Sequence, residues 1–219
     1  MEIQSKVPDA NKQALKLYDL ATRGKYKEGS IIARNILKKF PNDFYFTYQY
    51  AKLLGDWADD LPKSKCLKLK QEASKILKSL TRKLSGQSVG VRFGVCLNYY
   101  YQTYSFKKMY YFGKRFESVD KRKSFYAQAL GAGLLAEELH FKYHKTTSKK
   151  WAQKSIKIWS KYDLNKETYY FPFYSLATSY LILGDKDLAM RNLQKAAKVS
   201  KRKVSCKEFS NLYKLINKA

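Results

Sequence analysis

Between residues 170 and 203, apolar residues recur three and four positions apart on two successive segments joined by one glycine. The run reads Phe173-x2-Leu176-Ala177-x2-Tyr180, then Gly184-Asp185, then Ala189-x3-Leu193-x2-Ala196. That spacing places the side chains on one stripe of each of two α-helices, and a glycine between the stripes is the residue that lets a helix stop and the chain reverse. Small Ala177 and Ala189 allow the helices to cross closely, while Leu176, Tyr180 and Leu193 supply apolar surface. A hairpin of this size cannot bury its apolar face alone, so the segment demands stacked neighbours.

The rest of the chain supplies them. Gly24-Lys25-Tyr26-Lys27-Glu28-Gly29 runs through Ala33 and Ile36 to Pro41-Asn42-Asp43, with a similar turn and small residue. Three looser copies fall into register: Thr47-x2-Tyr50-Ala51-x2-Leu54, Phe93-x2-Cys96-Leu97-x2-Tyr100 and Ala127-x2-Leu130-Gly131-x2-Leu134. Gly131-Ala132-Gly133 lies within an apolar helical run, where small residues permit close packing.

Residues 170–203 resemble the tetratricopeptide repeat at almost every diagnostic place except the closing proline, where Lys201 stands. Residues 10–43 resemble it too, with Gln13 and Lys16 where bulky apolar residues are usual. The resemblance implies an all-α, right-handed solenoid of about five helix-turn-helix repeats (10–43, 44–89, 90–123, 124–169 and 170–203) in one domain over 1–219. A cap helix over 204–219, with its stripe of Phe209, Leu212, Tyr213 and Ile216, covers the end of the stack. The second unit is expected to carry extra length around Asp56–Pro62, and the fourth a first helix reaching about His144.

The resemblance further implies a groove lined by the first helix of each unit, facing Asn11, Tyr18, Tyr45, Tyr48, Lys52, Asn98, Tyr101, Gln102, Gln128, Tyr174 and Thr178. Tyrosines give contact area at modest entropic cost, and amides and Lys bond a peptide backbone or a carboxylate, so an acidic protein or peptide is the expected partner. The competing reading is that several of these tyrosines fill space between helices. Lys52 with Asn98 matches only part of the carboxylate clamp of some family members, and Tyr18 and Gln128 stand where further clamp residues are expected.

Charge adds a second partner class. The chain has 44 Lys and Arg against 18 Asp and Glu, a net charge of +26. Lys68, Lys75, Lys78 and Arg82 form one basic stripe, opposite an apolar face of Leu69, Ala73, Ile76, Leu77, Leu80 and Leu84. Lys121, Arg122 and Lys123, and Lys201, Arg202 and Lys203, extend it, and together they suit sequence-tolerant binding of a phosphate backbone. The plainer reading is a solvated polar face. With 36 Lys and only 8 Arg, the chain is poor in the residue that reads guanine and phosphate in a bidentate way.

Catalytic chemistry has no foothold. There are two histidines, no HExxH, no phosphate-binding glycine loop and no nucleophile motif. Glu137, His140 and His144 lie at helical spacing, which permits a metal but more commonly marks a solvated helix face, and no cofactor is expected. Asp56, Asp59 and Asp60 read as helix-terminating residues before Pro62. Cys66, Cys96 and Cys206 form no disulfide framework or zinc spacing. The chain has no apolar run near the ~18 residues a membrane helix needs, and residues 1–8 lack a signal core, so a soluble cytoplasmic protein is expected. The sequence leaves the oligomeric state open.

Overall fold

The computed structural model describes residues 5–164, 167, 169–200 and 207–218. Among the described residues there are eleven α-helices and no strand. They are α1 (Ala10–Thr22), α2 (Tyr26–Lys39), α3 (Phe44–Asp60), α4 (Lys63–Thr81), α5 (Val89–Gln102), α6 (Phe106–Arg115), α7 (Lys121–Phe141), α8 (Lys145–Trp159), α9 (Phe171–Leu183), α10 (Lys186–Ser200) and α11 (Lys207–Lys218). The all-α expectation is met. The chain divides into two compact units, Met1–Tyr104 with α1–α5 and Ser105–Ala219 with α6–α11, and within each unit consecutive helices pack on one another. No described helix is long and apolar enough to cross a membrane.

Short polar residues start several of the helices. Asp43 caps α3 by accepting from the Phe46 amide at 2.9 Å, Ser88 accepts from Val91 at the head of α5, and Asp120 accepts from Lys123 at 2.9 Å at the head of α7. Asp43 is buried and does more: its second carboxylate oxygen accepts from Ser5 Oγ at 2.9 Å and the Lys6 amide at 2.8 Å, fixing the segment before α1.

Three helices end in the same way. After α1 the Lys25 and Gly24 amides donate to Leu20 and Ala21; after α7 His144 and Tyr143 donate to Leu139 and His140; after α9 Asp185 and Gly184 donate to Tyr180 and Leu181. This double closure needs one residue in the left-handed region. Gly24 and Gly184 supply it with φ of 72° and 92°, and Tyr143 does so with φ 62°, at the steric cost a β-carbon brings there. The turn therefore ends α7 at Phe141 and carries His144 off the helix, short of the expected boundary.

The core of the first unit gathers Val7, Leu17, Ala33, Phe46, Tyr50, Leu54 and Ala73, with Ala51, Leu77, Leu80 and Val95 beyond them. The apolar face read for α4 is buried or partly buried as a set. In the second unit Phe173, Ala177, Ala189, Leu193 and Ala196 join Phe209, Leu212 and Ile216 of α11 in one cluster. The apolar residues of the 170–203 pattern are thus buried or partly buried, and Phe209, Leu212 and Ile216 of α11 pack on them, whereas Tyr213 of the expected stripe is exposed. Gly131 of α7 shows why that helix carries small residues: a β-carbon there would lie 2.8 Å from the Tyr110 nitrogen and 2.9 Å from the Phe106 oxygen of α6.

Candidate functional site

In the first unit, α3 packs against both α1 and α5, and polar side chains of the three helices meet. Lys52 of α3 holds its ammonium 5.6 Å from the ring centre of Tyr18 on α1. Asn98 of α5 donates to the Tyr48 hydroxyl at 3.1 Å and to the Gly94 carbonyl at 2.9 Å. Gly94 makes room for this pair, because a β-carbon there would sit 2.6 Å from the Tyr48 oxygen. Further along, the Tyr101 hydroxyl donates to Asp59 at 3.3 Å. Tyr18, Tyr48, Lys52, Asn98 and Tyr101 therefore join one face across α1, α3 and α5. Tyr18 is exposed, and the other four are half-buried.

Three further residues of the predicted set behave differently. Tyr45 packs edge-on against Phe46 and bonds Gln49, and burial raises its hydroxyl above the ordinary tyrosine range. Gln102 is buried, its amide occupying the space that Gly55 leaves: a β-carbon at Gly55 would lie 2.2 Å from Gln102 Nε2. Asn11 is exposed at the start of α1.

Asp56, Asp59 and Asp60 lie in the last turns of α3, which ends at Asp60 just before Pro62, and none of them caps α3 or α4, whose end and start fall to Leu61 and Pro62. Burial pushes the Asp56 carboxyl up to about 6 against the pull of Lys52, with Asp59 and Asp60 pushing the same way as burial. Asp56 stands four residues after Lys52, so the pair shares a helix face. Asp59 pairs with Lys70 of α4 at 2.8 Å, and Lys70 also donates to the Tyr104 hydroxyl at 2.6 Å and lies 4.5 Å from its ring centre. Burial works against the Lys70 ammonium, but Asp59 and Tyr104 outweigh it and hold its pKa above the ordinary lysine range.

In the second unit the predicted groove residues are mostly interior. Gln128 is buried, donates to Ser124 Oγ at 2.8 Å and packs against Gly113 of α6. Thr178 is buried with its hydroxyl unpartnered, and Tyr174 leans on Phe209 of α11. Burial, then the nearby Glu137 carboxylate, raises the Tyr174 hydroxyl well above the tyrosine range; burial alone pushes Glu137 up to about 7. His140 and His144 are exposed, and α7 ends between them, so they do not share the helical face that their spacing suggests. Among the described residues, no group of three or more His, Cys, Asp or Glu is placed to hold a metal.

Of the basic residues, Lys68, Lys75, Lys78 and Arg82 are exposed along and just after α4. Lys121 lies over Phe125, Arg122 donates to the Tyr162 hydroxyl at 3.2 Å, and Lys123 pairs with Asp120. Lys201, Arg202 and Lys203 fall outside the described residues.

Sequence reasoning passed over Asp56 as a partner of Lys52, although their spacing of four signals it. It also missed Lys70 and its pairing with Asp59 and Tyr104, which only the packing of α4 beside α3 and α5 brings about. No protein-family model and no curated protein sequence matches the chain.

Proposed function

We propose that the chain is a non-catalytic adaptor built from hairpins of the tetratricopeptide kind, and that the α1–α3–α5 face of its first unit binds a peptide segment of an acidic protein. The observation that carries the reading is the joining of Tyr18, Lys52, Tyr48, Asn98 and Tyr101 across three helices. These groups offer aromatic contact area, amide and hydroxyl hydrogen bonds, and one ammonium beside the half-buried Asp56. Such a mixture suits a peptide main chain, whose donors and acceptors alternate, better than a purely anionic ligand. Acidic residues elsewhere in the partner are then steered by the net charge of +26.

The test uses peptides selected from a displayed random library against the full chain, with affinity read by fluorescence anisotropy. Tyr18→Ala and Lys52→Ala are each expected to weaken the selected peptides about tenfold, as central interface residues do. Unchanged affinity in both, with the helical circular dichroism intact, would remove this face as the binding surface.

A further inference from the structure

The excess positive charge is distributed unevenly. The odd-numbered helices α1 to α9 carry seven Lys and Arg and six Asp and Glu; the even-numbered helices α2 to α10 carry 23 and three. In the second unit the asymmetry is complete on two neighbours. α6 has four basic residues (Lys107, Lys108, Lys114, Arg115), α8 has five (Lys145, Lys149, Lys150, Lys154, Lys157), and neither has a single acid. All nine are exposed, and none takes part in an ion pair among the described residues.

Aromatic rings bring the two helices together. Tyr110 of α6 meets Trp151 of α8 edge to face at 5.1 Å between ring centres, and Tyr111 packs on Tyr110 at 5.3 Å while remaining 47% exposed. Two ammonium groups converge on the same buried ring: Lys114 Nζ lies 5.5 Å and Lys154 Nζ 5.1 Å from the centre of Tyr110, and Lys154 is also 4.4 Å from the Trp151 ring. The rings anchor these side chains without neutralising them. Lys150, Lys154 and Lys157 follow at i, i+4 and i+7 on α8, a ladder with steps of about 6 and 4.5 Å along the axis. Lys107, Tyr111 and Lys114 form the matching stripe on α6.

We propose that this α6–α8 face binds single-stranded nucleic acid, with Lys114 and Lys154 at its centre and Tyr111 as a stacking surface for an unpaired base. Unpaired lysines in a row answer a phosphate backbone by charge alone and read no sequence. An exposed ring beside them favours a single strand, whose bases are free to stack, over a duplex whose bases are already stacked. The inference is independent of the peptide-binding face, which lies on the other unit.

The experiment measures anisotropy of a fluorescein-labelled, mixed-sequence RNA of about 20 nucleotides against the full chain over a range of salt. Wild type is expected to bind with a linear log–log salt dependence. Lys114→Gln with Lys154→Gln should weaken binding at least tenfold and reduce the slope by about 1.4, at roughly 0.7 per lost phosphate contact. Tyr111→Ser should cost about fivefold with the slope unchanged. Lys68→Gln with Lys75→Gln on α4, where Glu72 interrupts the lysines, removes the same charge and should change affinity less than about twofold. Equal losses from the two double variants would show that only total charge matters and overturn the site. Absence of binding near physiological salt, tighter binding to a duplex of equal length, or tighter binding to phosphatidylserine vesicles than to RNA would each overturn it as well.

Discussion

Replacing Gly131 by Ala puts two opposing effects into one substitution. Inside a helix such as α7, Ala is favoured over Gly by about 1 kcal/mol, so propensity alone stabilises the variant. The new β-carbon, however, meets three atoms of the α6 main chain, at 2.8 Å (Tyr110 N), 2.9 Å (Phe106 O) and 3.2 Å (Tyr110 Cα). Main-chain atoms cannot rotate away as a side chain does, so relief requires α6 to move off α7, and overpacking of this kind costs about 1–3 kcal/mol. Taking the upper end, the net effect is a loss of about 2 kcal/mol, or a fall in Tm of about 4–8 °C for a chain of this size. Gly29→Ala in α2 is the matched control. Its β-carbon meets mainly the methyl ends of Leu53, at 3.2 and 3.4 Å, which can turn aside, so the propensity gain survives and Tm should rise slightly. Thermal melts followed by circular dichroism compare the two. If both substitutions raise Tm, the close approach of α6 to α7 is wrong.

Asp43→Ala removes the cap of α3 and the acceptor for Ser5 and Lys6 together, and is expected to cost about 2 kcal/mol in urea denaturation, with Asp43→Asn losing clearly less; similar small losses for both would deny the carboxylate its double role. Asp56 supplies a pH dependence. Its folded-state pKa of about 6 lies above the ordinary carboxylate value, so the folded chain holds this proton more tightly than the unfolded one. The stability it contributes is complete below about pH 4 and disappears as pH rises through 6. Asp56→Asn should therefore flatten that decline and leave the variant about 1 kcal/mol more stable at neutral pH, discounted for part exposure; an unchanged pH profile would show that Asp56 ionises as it does in water.

What the sequence makes legible is the part of the fold set by local periodicity. Ala177, Ala189, Leu193 and Ala196 stand at helical spacing within the segment that resembles the repeat and are buried, and the Gly24 and Gly184 turns follow from one residue's tolerance of positive φ. Tyr143 adopts the same conformation without being glycine, so no composition signal marks the end of α7. The groove residues divide by a similar logic. Lys52 and Tyr48 share a helix face with a readable register, whereas Gln102 and Gln128 are interior because Gly55 and Gly113 on neighbouring helices leave space for their side chains. A glycine's effect on a residue of another helix is a tertiary fact that single-chain periodicity does not contain.

The distribution of charge ties the two binding proposals to one design constraint. A chain with +26 net charge repels itself, and spreading that charge over every face would leave each weakly basic and none selective. Here the odd-numbered helices α1 to α9 have nearly balanced charge, with Asp56 and Glu137 half-buried on them and Asp59 paired with Lys70. The even-numbered helices hold 23 basic residues against three acids. A near-neutral aromatic face discriminates by shape and hydrogen bonding, with little dependence on salt, while an acid-free lysine face binds by counterion release and weakens steeply as salt rises. The two surfaces thus differ in the physical variable that controls them. A salt titration that abolishes RNA binding should leave a selected peptide bound, and loss of both over the same salt range would mean that one electrostatic surface serves both ligands.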